Sequence, residues 1–208
     1  MKKKIIEHFK EVDPHLHRYI DDDIRLFSVN TKKKQPKDYF IALTRSIVGQ
    51  QLAGKAARAI YGRFEEQFPN KNVTAKKLLK FTEHDLRNVG MSYAKARALL
   101  DYADKYENKH VHFRNMDTRE DEEIRDMLLS IKGVGPWTCD MFLMFSVGRD
   151  DIFAPKDLGL QSGIKLIYNL DTRPNEQEAL EYSYKWAPYR TYASIILWHA
   201  IDTSRGNK

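Results

Sequence analysis

Apolar residues along this chain return at spacings of three and four, the period that lines one side of a helix. Almost nowhere do they alternate with polar ones as a half-buried strand requires. Ala94, Ala98, Leu99, Tyr102 and Tyr106 fall on one such face, and Phe40, Leu43 and Ile47 on another. Helix-start signals agree with the period: Thr118 is followed by Asp121 and Asn175 by Glu178, the spacing at which two side chains satisfy the first free amides. The pattern breaks near NTKKKQP, FPNKN, NVGMS, ENKHVHF, KGVGP, GRDDIFAP and DTRPN. It predicts about ten helices joined by short loops, an all-α fold. No fixed-period repeat, low-complexity linker or marked boundary interrupts it. The expected organisation is a single domain over 1–208: an N-terminal segment 1–37, a central helical lobe over about 38–115 and a second lobe over about 116–208, packed together with a cleft between them.

Composition narrows the field. The chain has 208 residues, enough for a sizeable core. Lys and Arg number 35 against 29 Asp and Glu, a net charge of +6 that mildly favours polyanions. A single cysteine, Cys139, excludes an internal disulfide framework, a Cys-rich zinc site and a four-cysteine iron–sulfur cluster. The start, MKKKIIEHFKEVDPHLHRYIDDD, is charged and lacks the apolar core of a signal peptide, and no window approaches the roughly 18 apolar residues of a bilayer span. The expectation is a soluble protein of a reducing compartment, without a membrane partner: cytoplasmic in a prokaryote, nuclear in a eukaryote.

From 128 to 145 the chain reads LLSIKGVGPWTCDMFLMF. A helix over about 118–131, with Ile124, Met127, Leu128 and Ile131 inward, is followed by another starting at Pro136, a residue suited to a first turn. Only Lys132, Gly133, Val134 and Gly135 lie between. Glycines tolerate positive φ and put no side chain in the way, so amides at the second helix's start face outward. With the helix dipole they suit a phosphate, Lys132 adds charge, and Val134 anchors the turn to the core. On these residues alone an ordinary corner between two helices is an equal reading.

Farther on, VGRDDIFAPKDLGLQSGI places an apolar stretch, a proline and then Asp157 where another helix is predicted to begin. The hairpin and the aspartate together resemble the helix-hairpin-helix (HhH-GPD) DNA glycosylase superfamily, whose signature is such a hairpin, a Gly/Pro-rich loop and an essential aspartate. SIVGQQLAGKAARAIYGRF (46–64), VGMSYAKARALLDYA (89–103) and WAPYRTYASIILWHA (186–200) are similar, in order, to stretches of its 3-methyladenine DNA glycosylase II branch. The resemblance extends from about residue 38 to 202.

The resemblance implies an enzyme that flips alkylated purines out of double-stranded DNA and hydrolyses the N-glycosidic bond, starting base excision repair. It implies a monomer that needs no cofactor, with a monovalent cation, Na+ or K+, at the hairpin carbonyls of Ile131 and Gly133. Members that also cut the strand carry a Schiff-base lysine two residues after the hairpin's second glycine. Trp137 stands there, so a monofunctional enzyme is expected. Lys156 is read as a phosphate contact, with a reactive amine as the alternative.

The chemistry asks for a carboxylate that steadies the positive charge developing on the sugar, and Asp157 matches it; as a residue after Pro155 near a helix start, it also reads as an N-cap. Gln51 or Leu52 is the expected wedge for the vacated stack, with Gln50 beside them, or else Gln50 and Gln51 join two helices. An electron-poor purine is best held by aromatic faces, for which Trp137 and Trp198 match pocket positions, and Phe40, Trp186, Tyr189 and Tyr192 less closely. Met141, Leu158 and His199 stand where relatives of broad range have further aromatics, so a narrower range is implied; His199 reads equally as a satisfied, partly buried histidine. Backbone grip falls to the hairpin with Lys132, helped by Arg190 and Lys55. Two rivals remain: a glycosylase for uracil, an oxidised or a mismatched base, and a non-catalytic hairpin that only binds DNA.

Overall fold

The computed structural model of the chain describes residues 2–21, 35–52 and 54–206. Among these it is built of twelve α-helices, two of them single turns, with short 3₁₀ and π turns and no strand. No helix among the described residues is long and apolar enough to cross a membrane. The chain divides into two compact units, Lys32–Phe142 and the pair Met1–Thr31 with Leu143–Lys208. The division thus falls at 142/143, not near 115/116, and the N-terminal segment groups with the C-terminal third.

In the first unit, α3 (Pro36–Gly49) starts with proline in its first turn and a reciprocal cap, Asp38 accepting from the Gln35 amide at 2.8 Å. Its face of Phe40, Leu43 and Ile47 is buried as its period predicts. α4 spans Gly54–Glu66, α5 Ala75–Leu78 and α6 Glu83–Asn88. α7 (Tyr93–Glu107), capped by Ser92, buries Ala96, Ala98, Leu99, Tyr102 and Ala103. Ala94, which shares the sequence period, is exposed in the first turn of α7, and burial begins at Ala96. α8 (Asp121–Leu129) and α9 (Pro136–Phe142) complete the unit. Thr118 is not the cap of α8: Glu120 holds that position and the Thr118 hydroxyl donates to the Asn115 carbonyl. Three acids in the first turn of α8, Asp121, Glu122 and Glu123, offset its partial positive charge instead. Met127, predicted inward, is only half-buried, its sulfur accepting from the His112 amide.

The second unit holds α1 (Lys2–Val12), α2 (Pro14–His17), a π turn over Leu143–Val147, α10 (Leu158–Ile167), α11 (Glu176–Ser183) and α12 (Arg190–Ser204). Asp13 joins its two chain segments. It caps α2 through the Leu16 amide and accepts from the Trp186 indole at 2.7 Å and from the Tyr168 hydroxyl, with Lys185 3.2 Å away. Burial pushes the Asp13 carboxyl up, but these donors and the Lys185 charge hold it below its ordinary 3.8. α10 and α12 cross closely because Gly163 has no side chain. A Cβ there would lie 2.8 Å from the Leu197 carbonyl oxygen and 2.9 Å from its Cβ.

Candidate functional site

The hairpin between α8 and α9 is bound to its unit by α7 and by the loop after α3. Asp101 on α7 accepts from the Lys132 amide at 2.8 Å, and Lys105 reaches from Asp101 to the Ser130 carbonyl. Desolvation raises the Asp101 carboxyl, yet the bonds from Lys105 and Lys132 outweigh it and keep it low. Gly133 has φ +74°, and a Cβ there would lie 3.3 Å from the Ala98 Cβ, so both conformation and space call for glycine. Gly135 differs from expectation: its backbone needs no left-handed freedom, and a Cβ would meet nothing within 4 Å. Its contribution is open space before the first amides of α9. Val134 is buried as the anchor, while the Lys132 side chain is 76% exposed.

On α9, Thr138, Cys139 and Asp140 turn inward and Trp137 is 39% exposed. Burial pushes the Cys139 thiol up to about 11, so it is an inert core group. Asp140 is also pushed up by burial, against the pull of Arg125 2.5 Å away. Met141 is half-buried. Phe40 does not line an open pocket: it is buried, its ring 4.9 Å from that of Tyr102 and 4.8 Å from that of Tyr106.

The loop after α3 separates the three wedge candidates. Gln50 is turned inward, its amide donating to the Gly133 carbonyl and to Thr138 Oγ1, each at 3.1 Å. It is therefore a brace between this loop and the hairpin, not a wedge. Gln51, with φ +57°, and Leu52, 36% exposed, form the tip. Lys95 supports the loop by donating to the Val48 carbonyl at 2.8 Å. Of the two hairpin carbonyls matched to a cation, that of Gly133 accepts from Gln50 and that of Ile131 from the Val134 amide, which leaves each a second lone pair.

In the other unit the loop over 148–155 delivers Asp157 to the start of α10, and the start of α12 holds that loop. Arg190 grips Asp151 with two bonds of 2.7 and 2.9 Å, Thr191 accepts from the Ile152 amide, and the Tyr192 hydroxyl donates to Asp150. Arg190 is thus committed to Asp151, and the expectation that it grips a DNA phosphate gives way to a bracing role. Tyr192 and Trp186 are likewise core residues with bonded polar tips.

Asp157 caps α10, its Oδ1 accepting from the Leu160 amide at 2.8 Å. The same oxygen accepts from the indole nitrogen of Trp198, on α12, at 3.0 Å. The carboxylate is only partly buried, with the Trp198 indole beside it. Phe145, in the π turn, brings its ring within 6.0 Å of that indole. Leu158 is 58% exposed. Lys156 is exposed and lies 3.6 Å from Glu176, which fits a solvated contact. His199 sits 3.0 Å from Asp21, the satisfied alternative for this residue. Among the described residues, no group of His, Cys, Asp and Glu is arranged to hold a metal.

Residues 44–188, well over half the chain, match the profile of the HhH-GPD superfamily of base excision DNA repair proteins. The chain belongs to the HhH-GPD superfamily. Among its HhH-GPD relatives, the Bacillus subtilis protein YfjP is 31% identical over 173 residues, a match that spans 79% of this chain and only 60% of YfjP. DNA-3-methyladenine glycosylase 1 of Schizosaccharomyces pombe is 29% identical over 95% of this chain and 90% of its own. The solved structure of the S. pombe 3-methyladenine DNA glycosylase in complex with abasic DNA superposes with a TM-score of 0.81 at 28% identity, covering 97% of both chains. In this HhH-GPD chain the sequence pointed to Asp157, Trp198 and the hairpin. It missed Gly159 beside the carboxylate, Phe145 beside the Trp198 ring, and Asp101 and Thr138 behind the hairpin, because each acts through a partner 30 or more positions away or through a missing side chain.

Proposed function

We propose that this chain is a monofunctional DNA glycosylase that flips an alkylated purine of the 3-methyladenine type out of double-stranded DNA and hydrolyses its N-glycosidic bond. The observation that carries the reading is the partly exposed Asp157 carboxylate at the head of α10, its Oδ1 fixed by two donors and an indole at its side. Its place after the hairpin is that of the family's aspartate, and the two S. pombe matches named above are 3-methyladenine DNA glycosylases.

The chemistry follows from charge. As the bond from C1′ to the base nitrogen lengthens, the electron pair leaves with the base and positive charge grows on the sugar. A carboxylate facing that carbon stabilises the oxocarbenium-like state. Water then forms the new bond at C1′ and gives its proton to the carboxylate or to solvent, leaving an abasic site. A purine methylated at N3 or N7 is cationic before it leaves and becomes neutral on departure, so the enzyme need not protonate it. The indole of Trp198, beside the Asp157 carboxylate, offers an electron-rich face to such a base, an attraction of about 0.5–2 kcal/mol. Trp137 occupies the position of the Schiff-base lysine, so no covalent imine forms there.

Gln51 and Leu52 are the wedge in this reading, and the hairpin with Lys132 holds the DNA backbone. A Na+ or K+ ion at the free lone pairs of Ile131 and Gly133 would strengthen that grip. The protein acts as a monomer. The test is mass spectrometry of the bases freed from a methylated duplex, alongside duplexes that each carry one defined lesion. Release of 3-methyladenine or 7-methylguanine is expected; release of uracil or oxidised bases alone, or of none, contradicts the proposal.

A further inference from the structure

Gly159 is the second residue of α10, and the space its side chain would take is filled from two sides. A Cβ built there lies 2.9 Å from Asp157 Oδ1 and 3.0 Å from both Cδ1 and Nε1 of Trp198. Its backbone is not left-handed, so the need for glycine is one of space alone. The contact it permits joins two helices: Asp157 heads α10, whereas Trp198 lies 41 residues on, in the body of α12, which Gly163 allows close to α10.

We infer that Gly159 and the indole N–H of Trp198 form a positioning pair for the reaction proposed above, fixing the plane of the Asp157 carboxylate. The inference rests on that assignment of Asp157. The last torsion of a carboxylate is broad, so a helix-capping bond to one oxygen constrains its plane less than two donors converging on that oxygen do. A second donor on the same oxygen, arriving from another helix, selects one rotation and so sets where the other oxygen points. Catalysis depends steeply on such aim, and a misplacement of about 1 Å is worth roughly 100-fold in rate. The role is separate from stacking. Phenylalanine would give a base a similar aromatic face, but only the indole supplies this hydrogen.

The test is a set of single-turnover measurements on a duplex carrying one 7-methylguanine, with binding followed on a duplex carrying a tetrahydrofuran abasic analogue. Trp198→Phe keeps a ring and removes the donor. It should lower the rate constant roughly 10- to 100-fold, the range for one hydrogen bond to a charged group, while half-saturation and analogue binding change by less than about 3-fold. Gly159→Ala should lower the rate similarly, and the double variant should be no slower than the slower single one, since the new methyl obstructs only a contact already lost. In an Asp157→Ala background, Trp198→Phe should have no further effect. Multiplying effects in that background, or a raised half-saturation at unchanged rate, would confine Trp198 to holding the base and overturn the pair. A Gly159→Ala enzyme that turns over normally would overturn it as well. If Gly159→Ala proves unfolded by calorimetry, the Trp198–Asp157 cycle decides alone. An Asp157→Ala enzyme at full rate sinks the catalytic assignment itself, whereas an inactive Asp157→Ala with a normal Trp198→Phe sinks the positioning pair only.

Discussion

Two buried or half-buried aspartates of one unit use the same device for different ends. Asp13 and Asp157 each cap a helix and each accept from an indole, Trp186 in one case and Trp198 in the other. Asp13 is enclosed and has Lys185 beside it, so its charge is structural. Its carboxyl lies below the ordinary 3.8, and its contribution to stability is therefore complete above that value and lost as pH falls through the lowered native value. Thermal unfolding followed between pH 5 and 2 should show a steep loss below about pH 4 in the native protein. Asp13→Asn should be less stable at pH 7 and flatter across that window; an unchanged slope would remove Asp13 as the cause. Asp157 was legible through the family resemblance of the hairpin and the loop after it; on its own residues it reads as an N-cap, which it also is. Gln50 was not: an amide beside an exposed loop looks like a wedge until the Gly133 carbonyl is seen to hold it.

Helix boundaries and inward faces followed from the 3.6-residue period, with errors where a loop or cap took over, as at Ala94 and Thr118. Helix crossings did not follow, because they depend on which small residues meet. Gly163 sets one: with the Leu197 backbone 2.8 Å from a would-be Cβ, α10 and α12 must part to admit a methyl. Gly163→Ala should cost about 1–3 kcal/mol, as overpacking does. That corresponds to a fall in Tm of about 2–4 °C per kcal/mol for a chain of this size. Gly62, within α4, is the control, since a Cβ there meets nothing within 4 Å. Gly62→Ala should gain about 0.5–1 kcal/mol from helix propensity. Calorimetry of both separates space from backbone freedom, and a Gly163→Ala protein as stable as the native one would show that the crossing is loose.

For the whole molecule, the net charge of +6 favours association with a polyanion, and in the proposed reading the hairpin grips its backbone. Lys132 projects from the hairpin largely exposed, while Arg190 is engaged with Asp151. Duplex affinity should fall linearly in log–log terms with salt, by about 0.9 per phosphate contacted. Lys132→Ala should reduce that slope by about 1 and weaken binding alike for all sequences. Arg190→Ala should leave the slope unchanged; a drop there would restore Arg190 as a phosphate contact. The division of the chain at 142/143 was invisible in composition, because the helical run from Pro136 into the π turn carries no Gly or Pro break there.

The most direct test of the account is the single-turnover release of 7-methylguanine from duplex DNA by Asp157→Asn, measured beside its binding to the same duplex. The cap and the shape of the side chain survive the change, and the negative charge does not. The account predicts a loss of at least about 100-fold in base release with affinity kept within about 3-fold. Release at the native rate, or parallel loss of binding and release, would contradict it.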